Sequence, residues 1–532
     1  MAKEAQASNG AVKAKEKKED PKPANPDLFE YADLPKWETG AYYVILVVML
    51  SYGWYCVKLA SDEFRDILFQ QHPRFKLENT TFFGMQIRDN SDYEWPEWKI
   101  VAFGLVPAMA VHSILFNVLD RFVTEPTKMH LMFVYSLCAC VYAFDWSSTL
   151  ISVVTGLIIF ATAWKTRSVK AIWIVACPLL YVSVEQSIKY HPHPYLILLL
   201  CMYNMCCWIS YSVEMVHNNV RQGDTTVWQC LIRMLQYGFY LPYQISLIVT
   251  YPEWERQITE RRTRKFDHKH AVLYAVRTAF WYYVCDRMTY WMYMNAMAKV
   301  PYIMSTVPLD QLCAIGYAIG AYFHLKYIVI FGVPSVFAYF DNMQPYEPPT
   351  CISRVSLYSK MWRAFDRGLY QFFKRYIFLP ICRPTFSLWR RMLAMFAVFG
   401  FVILWHGFQH NNLVWIALNI AELVQEVIAK QLYAKTPLRR WRETYIGDRV
   451  FRRLLCWLHI CPFVFALVSI FYFLGGSSAG WIYVDRVLVH QLIPFTWQAK
   501  FLLTFGYVYS NVCIDTEKWW TARQAAKKIK AE

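Results

Sequence analysis

The sequence predicts an all-α protein that crosses a membrane many times. Three observations carry that expectation. Of the 532 residues, 56% are hydrophobic and only 18% charged, against roughly a quarter charged in an ordinary soluble domain. Mean hydropathy is positive, +0.20. Apolar runs of about 20 residues, the length a helix needs to cross a hydrocarbon core, recur along nearly the whole chain.

In chain order, residues 1–38 are polar and Pro-containing, with KAKEKKEDPKPANP in the middle. That composition cannot bury enough apolar surface to fold, and it predicts a disordered cytosolic tail. No cleavable signal peptide is expected, because the first apolar run is long enough to span. The clearest runs are 41–59, 99–119, 129–164 (long enough for two passes), 169–184, 194–213, 311–340, 392–408, 412–429, 455–475 and 494–513. Polar segments separate them at 61–98, 214–228, 252–270, 342–363 and 430–453. Segments 229–250 and 364–381 could be re-entrant. An integral-membrane domain over 39–515 and a cytosolic tail over 516–532 complete the expected organisation.

The net charge of +16 is concentrated in connecting segments. Residues 252–270 hold Arg256, Arg261, Arg262, Arg264, Lys265 and Lys269, and 430–453 hold eight more Lys and Arg. Cytosolic loops carry such an excess. No basic domain stands apart from the apolar runs, which argues against a nucleic-acid partner. Both termini are therefore expected in the cytosol and 61–98 on the opposite side, where Asn79-Thr80-Thr81 is a glycosylation sequon. Lys528 and Lys530 in the terminal AAKKIKAE resemble a dilysine retrieval signal or, equally, an ordinary basic helix end. The fifteen cysteines show no paired zinc spacing, and most sit inside apolar runs as small hydrophobes.

Residues 351–430 hold two groups that are expensive to place in a membrane. Arg354, Lys360, Arg363, Arg367, Lys374 and Arg375 alternate there with Trp362, Phe365, Leu369, Phe372, Phe373 and Tyr376. Counted from Trp362, apolar residues recur at i+3, i+7, i+10, i+11 and i+14, one face of a helix at or dipping into the membrane surface. Asp366 is the only acid from 351 to 421. It is read either as an intrahelical salt bridge with Arg363 or as half of a site.

The other group is His406, inside VFGFVILWHGFQH. From Arg391 the helix rises about 22 Å to reach it, well into the far half of the bilayer. It is read either as a neutral histidine bonded to a neighbouring helix or as a functional group lining the bundle interior. A neutral imidazole can take a proton from an attacking amine or hydroxyl. An aspartate among cations at the other mouth lies where phosphates can be held. Together they suit a reaction between a cytosolic phosphate-bearing donor and a lumenal acceptor.

At these residues the chain resembles the membrane-bound O-acyltransferase superfamily, and within it the hedgehog acyltransferase branch. MWRAFDRGLYQFFKRYIFLP, LWHGF and WIALNIAELVQE are similar to the branch's MWR-FD-GL, WHGG and W-ALN elements, with the same Asp-to-His separation. LPKWETGAYYVI, FGMQIRDNSDYEWPEW and HLKYIVIFGVPSVFAYFDNMQPYEPPTC extend the resemblance outward. Departures are Ile381-Cys382-Arg383, where the branch carries a Gly-Gly pair, and Phe408 in place of the second glycine after the histidine.

The resemblance implies a helical bundle of about 10–12 transmembrane or re-entrant segments around a membrane-spanning catalytic tunnel. It implies transfer of a palmitoyl group from palmitoyl-CoA to the N-terminal cysteine amine of a secreted hedgehog-like protein. The place is the endoplasmic reticulum, with the Golgi as the second compartment. His406 and Asp366 would be catalytic, with Trp362, Arg363, Trp405 and Asn419 around the substrates. Cys351 falls where the branch carries a haem-ligating cysteine, and is otherwise a free or palmitoylated thiol. The alternatives are acyl transfer to a lipid or glycolipid hydroxyl, and a non-catalytic regulator of protein acylation.

Overall fold

The computed structural model of the protein describes residues 31–80, 84–190, 194–218, 225–351, 357–492 and 495–531. Helices dominate. The first, α1 (Lys36–Glu63), presents Val44, Val47, Val48 and Tyr55 outward, as a lipid-facing surface requires. A two-stranded antiparallel hairpin follows, β1 (Phe75–Thr80) and β2 (Gly84–Asp89), with Phe75 opposite Asp89. Next come α2 (Glu94–Val118), α3 (Glu125–Phe144), α4 (Trp146–Thr166), α5 (Val169–Tyr190) and α6 (Pro194–His217).

The long run at 129–164 is two helices, split at Asp145. That residue sits at φ 84° and caps α4, its Oδ1 accepting from Ser148 N at 2.8 Å. One polar residue is enough to turn the chain there, because a carboxylate oxygen can accept from the free amides of a helix start.

The core lies on α6 and on α10 (Leu309–Phe340), whose apolar windows are 94% and 61% buried. Between them run α7 (Val227–Gly238), α8 (Tyr251–Glu260) and α9 (His268–Trp291). After α7, residues 239–250 are all buried and mostly non-helical. Burial inside protein is what irregular backbone in a membrane protein needs. The sequence predicts no span at 268–291. Arg277, Asp286 and Arg287 dilute its hydropathy, yet α9 packs along α10 and receives the hairpin. Arg88 of β2 reaches Asp286, Glu78, Thr289 Oγ1 (3.2 Å) and Tyr290 Oη (3.1 Å).

The last part comprises α11 (Tyr358–Phe365), α12 (Arg367–Phe373), α13 (Leu388–His406), α14 (His410–Lys435), α15 (Asp448–Leu458), α16 (Ile460–Ile470) and α17 (Trp497–Ala531). Among the described residues, nine helices are long and apolar enough to cross a membrane. The chain is thus an all-α polytopic membrane protein. The helices α5, α9 and α17 are also of spanning length but stay outside that set.

Both expected tail boundaries differ from the structure. Residues 31–38 are fixed: Leu34 is buried, Arg452 donates to Ala32 O, and Arg453 pairs with Glu38 at 2.5 Å. At the other end α17 runs straight through residue 516, held by Lys518 bonding Tyr31 O and Asp33. Two of the expected loop cations are in fact buried staples. Arg261 is 4% exposed and binds Asp120, Asn117 and the Asp341 carbonyl. Arg452 is 1% exposed and binds Asn511 and Asp515. Charge counting could not separate these from solvated cations.

Candidate active site

The site is assembled where α11, α12, α13 and α14 meet. Asp366 joins α11 to α12. Its backbone is extended (φ −115°, ψ 94°) and its Oδ1 accepts from Leu369 N at 2.8 Å, so it caps α12. The expected Arg363 salt bridge is not formed. Arg363 folds back on its own turn, donating to Ser359 O at 3.0 Å and Ser359 Oγ at 3.2 Å. Among the described residues Asp366 has no ion-pair partner. It lines a small cavity together with Ser246, Ile248, Phe331, Glu347 and Arg367.

Behind that cavity the chain needs a glycine. A Cβ on Gly368 would stand 2.0 Å from the carbonyl oxygen of Ile248. The FDRGL sequence therefore lets α12 press directly onto the buried, mostly non-helical stretch after α7.

His406 ends α13. Gly407 follows at φ 86°, a left-handed conformation that favours glycine. Asn412, two residues into α14, donates to His406 O at 2.7 Å and Gly407 O at 3.2 Å, which fixes the reversal. The imidazole stands edge-on to Trp415 (5.1 Å) and Phe473 (5.3 Å), which stack on each other at 4.1 Å. Its ring nitrogens have no hydrogen-bond partner among the described residues. The alternative of a histidine bonded to a neighbouring helix is not what the structure shows.

Asn419, two helical turns along α14 from Asn412, is fully buried. Its Oδ1 accepts from Tyr358 Oη and from Trp362 Nε1 (3.1 Å), while its Nδ2 donates to Trp415 O and Ser469 Oγ. Every hydrogen-bonding position is engaged, so Asn419 holds the wall in place and has nothing left to offer a substrate. Trp362, which it orients, packs against Phe399 (5.5 Å) and Trp415 (6.1 Å). Near it Glu422 is 3% exposed, with neither carboxylate oxygen hydrogen-bonded among the described residues.

Trp405 faces another way, onto Tyr203 of α6 at 5.4 Å. Tyr203 in turn lies within electrostatic reach of Asp366. A second bridge runs through rings. Phe365, next to Asp366, stacks on Phe323 (5.5 Å), Phe323 meets Phe473 (5.9 Å), and Phe473 meets His406.

Trp362, Asn419 and His406 thus gather on one wall around Trp415, Asp366 joins it through the ring bridge, Arg363 borders it, and Trp405 stands on another side against Tyr203. Cys351 stands apart, half-buried, with Tyr509 and Cys513 of α17 as its electrostatic neighbours. Tyr203, Phe323, Phe473 and Asn412 are not legible as site residues in the sequence. Only Asn412 leaves a signal, as a capping residue just after a glycine turn.

Chemically, this wall offers an unbonded imidazole with aromatic sides and, across three phenyl rings, a carboxylate beside a cavity. Such a pairing can accept a proton on one side and hold a cationic or polar group on the other. The family model described as MBOAT, membrane-bound O-acyltransferase family, matches residues 143–469, more than half of the chain and all of this wall except Phe471–Gly475. Protein-cysteine N-palmitoyltransferase HHAT of Mus musculus is 25% identical over 507 residues, 92% of this chain and 99% of its own. Protein-cysteine N-palmitoyltransferase Rasp of Drosophila melanogaster is 27% identical over 346 residues, 63% of this chain and 68% of its own. Membrane-bound O-acyltransferase GUP2 of Saccharomyces cerevisiae is 22% identical over 218 residues, 41% of this chain and 35% of its own.

Proposed function

The chain belongs to the membrane-bound O-acyltransferase family, and from that premise we propose that it transfers a palmitoyl group from palmitoyl-CoA to the N-terminal cysteine amine of a secreted, hedgehog-like protein. The relatives named protein-cysteine N-palmitoyltransferase support this acceptor. The observation that carries the reading is the His406 imidazole, without a hydrogen-bond partner among the described residues and walled by Trp415 and Phe473, with Asp366 across the ring bridge.

In this account the tunnel runs between the two residues. The donor enters from the cytosolic mouth near Asp366 and the cations of α11 and α12, and the acceptor reaches His406 from the lumen. The acceptor nitrogen attacks the thioester carbonyl carbon. His406 takes the proton that nitrogen must lose. The tetrahedral intermediate then expels coenzyme A as thiolate, and the imidazolium returns the proton to that sulfur, which leaves amide and free thiol. Asp366 helps hold the acceptor as the neutral amine, accepting a hydrogen bond from its N–H, and polarises the site. Trp362, Arg363 and Trp405 shape the pocket, while Asn419 fixes Trp362.

Residence in the endoplasmic reticulum, with both termini cytosolic, agrees with this topology and with the dilysine reading of Lys528 and Lys530, whose side chains lie outside the described residues. A haem is a further part of the proposal. Cys351 is a free thiol, the donor that would hold the haem iron. Among the described residues no group of three or more His, Cys, Asp or Glu gathers to hold another metal. A haem would be held there through the Cys351 sulfur, in a structural capacity. A Soret band in the purified protein that disappears in Cys351→Ala is the expected result.

Purified protein given palmitoyl-CoA and a peptide with a free N-terminal Cys tests the main reading. Hydroxylamine-resistant acylation is expected on that peptide and not on its N-acetylated twin. Transfer to a lipid or glycolipid hydroxyl instead would replace it. Absence of any transfer, with binding of acyl-CoA or acceptor retained, would leave a non-catalytic regulator.

A further inference from the structure

The middle of α10 carries a lysine that the proposed chemistry does not use. Lys326 is 1% exposed, and its ammonium pairs with Asp92 at 2.7 Å and Glu94 at 2.6 Å. Asp92 belongs to the segment joining the hairpin to α2, and Glu94 opens α2. Tyr327 Oη also donates to Glu94 Oε1 at 2.8 Å. The ammonium is flanked by two rings of its own helix, 5.2 Å from Phe323 and 5.7 Å from Tyr327.

Those two rings form the wall behind the site. Phe323 stacks on Phe365 with 2° between the planes, and Tyr327 meets the same ring at 5.4 Å. Phe365 is the residue before Asp366. Phe323 also meets Phe473, which packs on His406. One face of α10 therefore connects the segment at Asp92–Glu94 to the neighbours of both candidate catalytic residues.

A buried charge cluster is a weak device for stability alone. Desolvation offsets most of its Coulombic gain, and apolar residues of like volume often do as well. Its distinctive contribution is geometry: an ammonium between two fixed carboxylates holds one position, and the flanking rings are held with it.

We propose that Lys326, clamped by Asp92 and Glu94, is a positioning residue that couples the hairpin side of the protein to the Asp366–His406 wall. The inference rests on the acyl-transfer reading, in which the hairpin lies on the acceptor side. Engagement of that side by an acceptor then tightens the wall through Lys326, Tyr327 and Phe365. Asp366 is set at its position by the Leu369 amide and by the ring beside it, so movement of Phe365 moves the carboxylate.

Three full-length variants test this. Tyr327→Phe keeps the ring and removes the hydroxyl bond. The triple Asp92→Asn/Glu94→Gln/Lys326→Met removes the clamp without leaving a lone buried charge. Lys326→Arg keeps the charge. Two quantities are read: kinetic constants for both substrates, and hydrogen exchange of the Leu369 and Tyr370 amides, which bond Asp366.

In Tyr327→Phe and the triple variant, kcat falls about tenfold or more and the acceptor KM rises, as misplacement of a catalytic group by a fraction of an ångström does. The palmitoyl-CoA KM stays within about twofold. The two amides exchange faster, and Lys326→Arg recovers part of the loss. Unchanged constants and unchanged exchange, at equal thermal midpoint, overturn the proposal and leave the clamp merely structural. Should the wild type transfer nothing to a cysteine peptide, the palmitoyl reading falls on its own. The exchange measurement then decides the clamp: faster exchange supports it and unchanged exchange overturns it.

Discussion

At the scale of single residues, the site depends on a few positions whose chemistry has no substitute. Gly368 is the sharpest. Its missing Cβ is what allows α12 to sit on the Ile248 carbonyl, so Gly368→Ala forces backbone against backbone. Overpacking of this kind costs about 1–3 kcal/mol or more. A lower thermal midpoint in detergent, with activity falling in parallel, is the expected outcome. Gly407→Ala is strained for a different reason, the positive φ that turns the chain after His406. Asp366 and His406 were both legible in the sequence, because an ionisable group in an oily run is visible without any coordinates. Their surroundings were not. Phe473 reaches His406 from 67 positions away, and Tyr203 reaches Trp405 from a helix on the other side of the core. Periodicity reports which face of a helix is apolar, not which helix covers it.

At the scale of elements, α14 is the spine of the site and Asn419 its main joint. It ties α11, α14 and α16 through Tyr358, Trp362 and Ser469. Asn419→Ala leaves buried donors unsatisfied, at about 1–3 kcal/mol each, and frees Trp362. Lower thermal stability and a kcat loss larger than in any substitution on the lipid-facing side of α14 are expected. The hairpin is the other element with a separable test. Burial pushes Glu78 up, but its bonds from Arg88 and Asn90 outweigh this and hold its carboxyl below the usual value of 4.5. A carboxyl lowered in the folded state contributes stability that is present above 4.5 and is lost as pH falls through its folded pKa. Hydrogen exchange across 75–89 is therefore expected to quicken below about pH 4.5, and Glu78→Gln to remove part of that dependence. The hairpin had no sequence signal strong enough to predict it, being short and partly charged. The helix α9 was missed for the opposite reason, since Asp286, which lowers its hydropathy, is paired inside the protein with Arg88 and Lys99.

At the scale of the whole molecule, the first and last helices close the structure on one side. Arg452 bonds Ala32 O and Asp515, Arg453 pairs with Glu38, and Lys518 holds residues 31 and 33. Arg452→Met removes a fully buried guanidinium and strands Asp515, and a loss of about 3–5 kcal/mol is expected, read as a lower midpoint with little change in KM. The same contacts hold residues 31–33 against α17 near Lys518, and with both termini cytosolic a tag at either end should be cleaved by external protease in sealed microsomes. Asn79, exposed on β1, should be the position that carries a glycan. Most of the span positions followed from hydropathy and length alone. The tail boundaries did not, because Arg449, Arg452 and Lys518 look like solvated cations until their partners are seen.

The account stands on His406 as the group that takes the proton. Single-turnover transfer from palmitoyl-CoA to a free N-terminal cysteine peptide, by the wild type and by His406→Ala of equal thermal midpoint and equal acyl-CoA binding, tests it most directly. A loss of about a hundredfold or more in the variant is predicted for removal of a general base. Transfer by His406→Ala within about twofold of the wild type would contradict it.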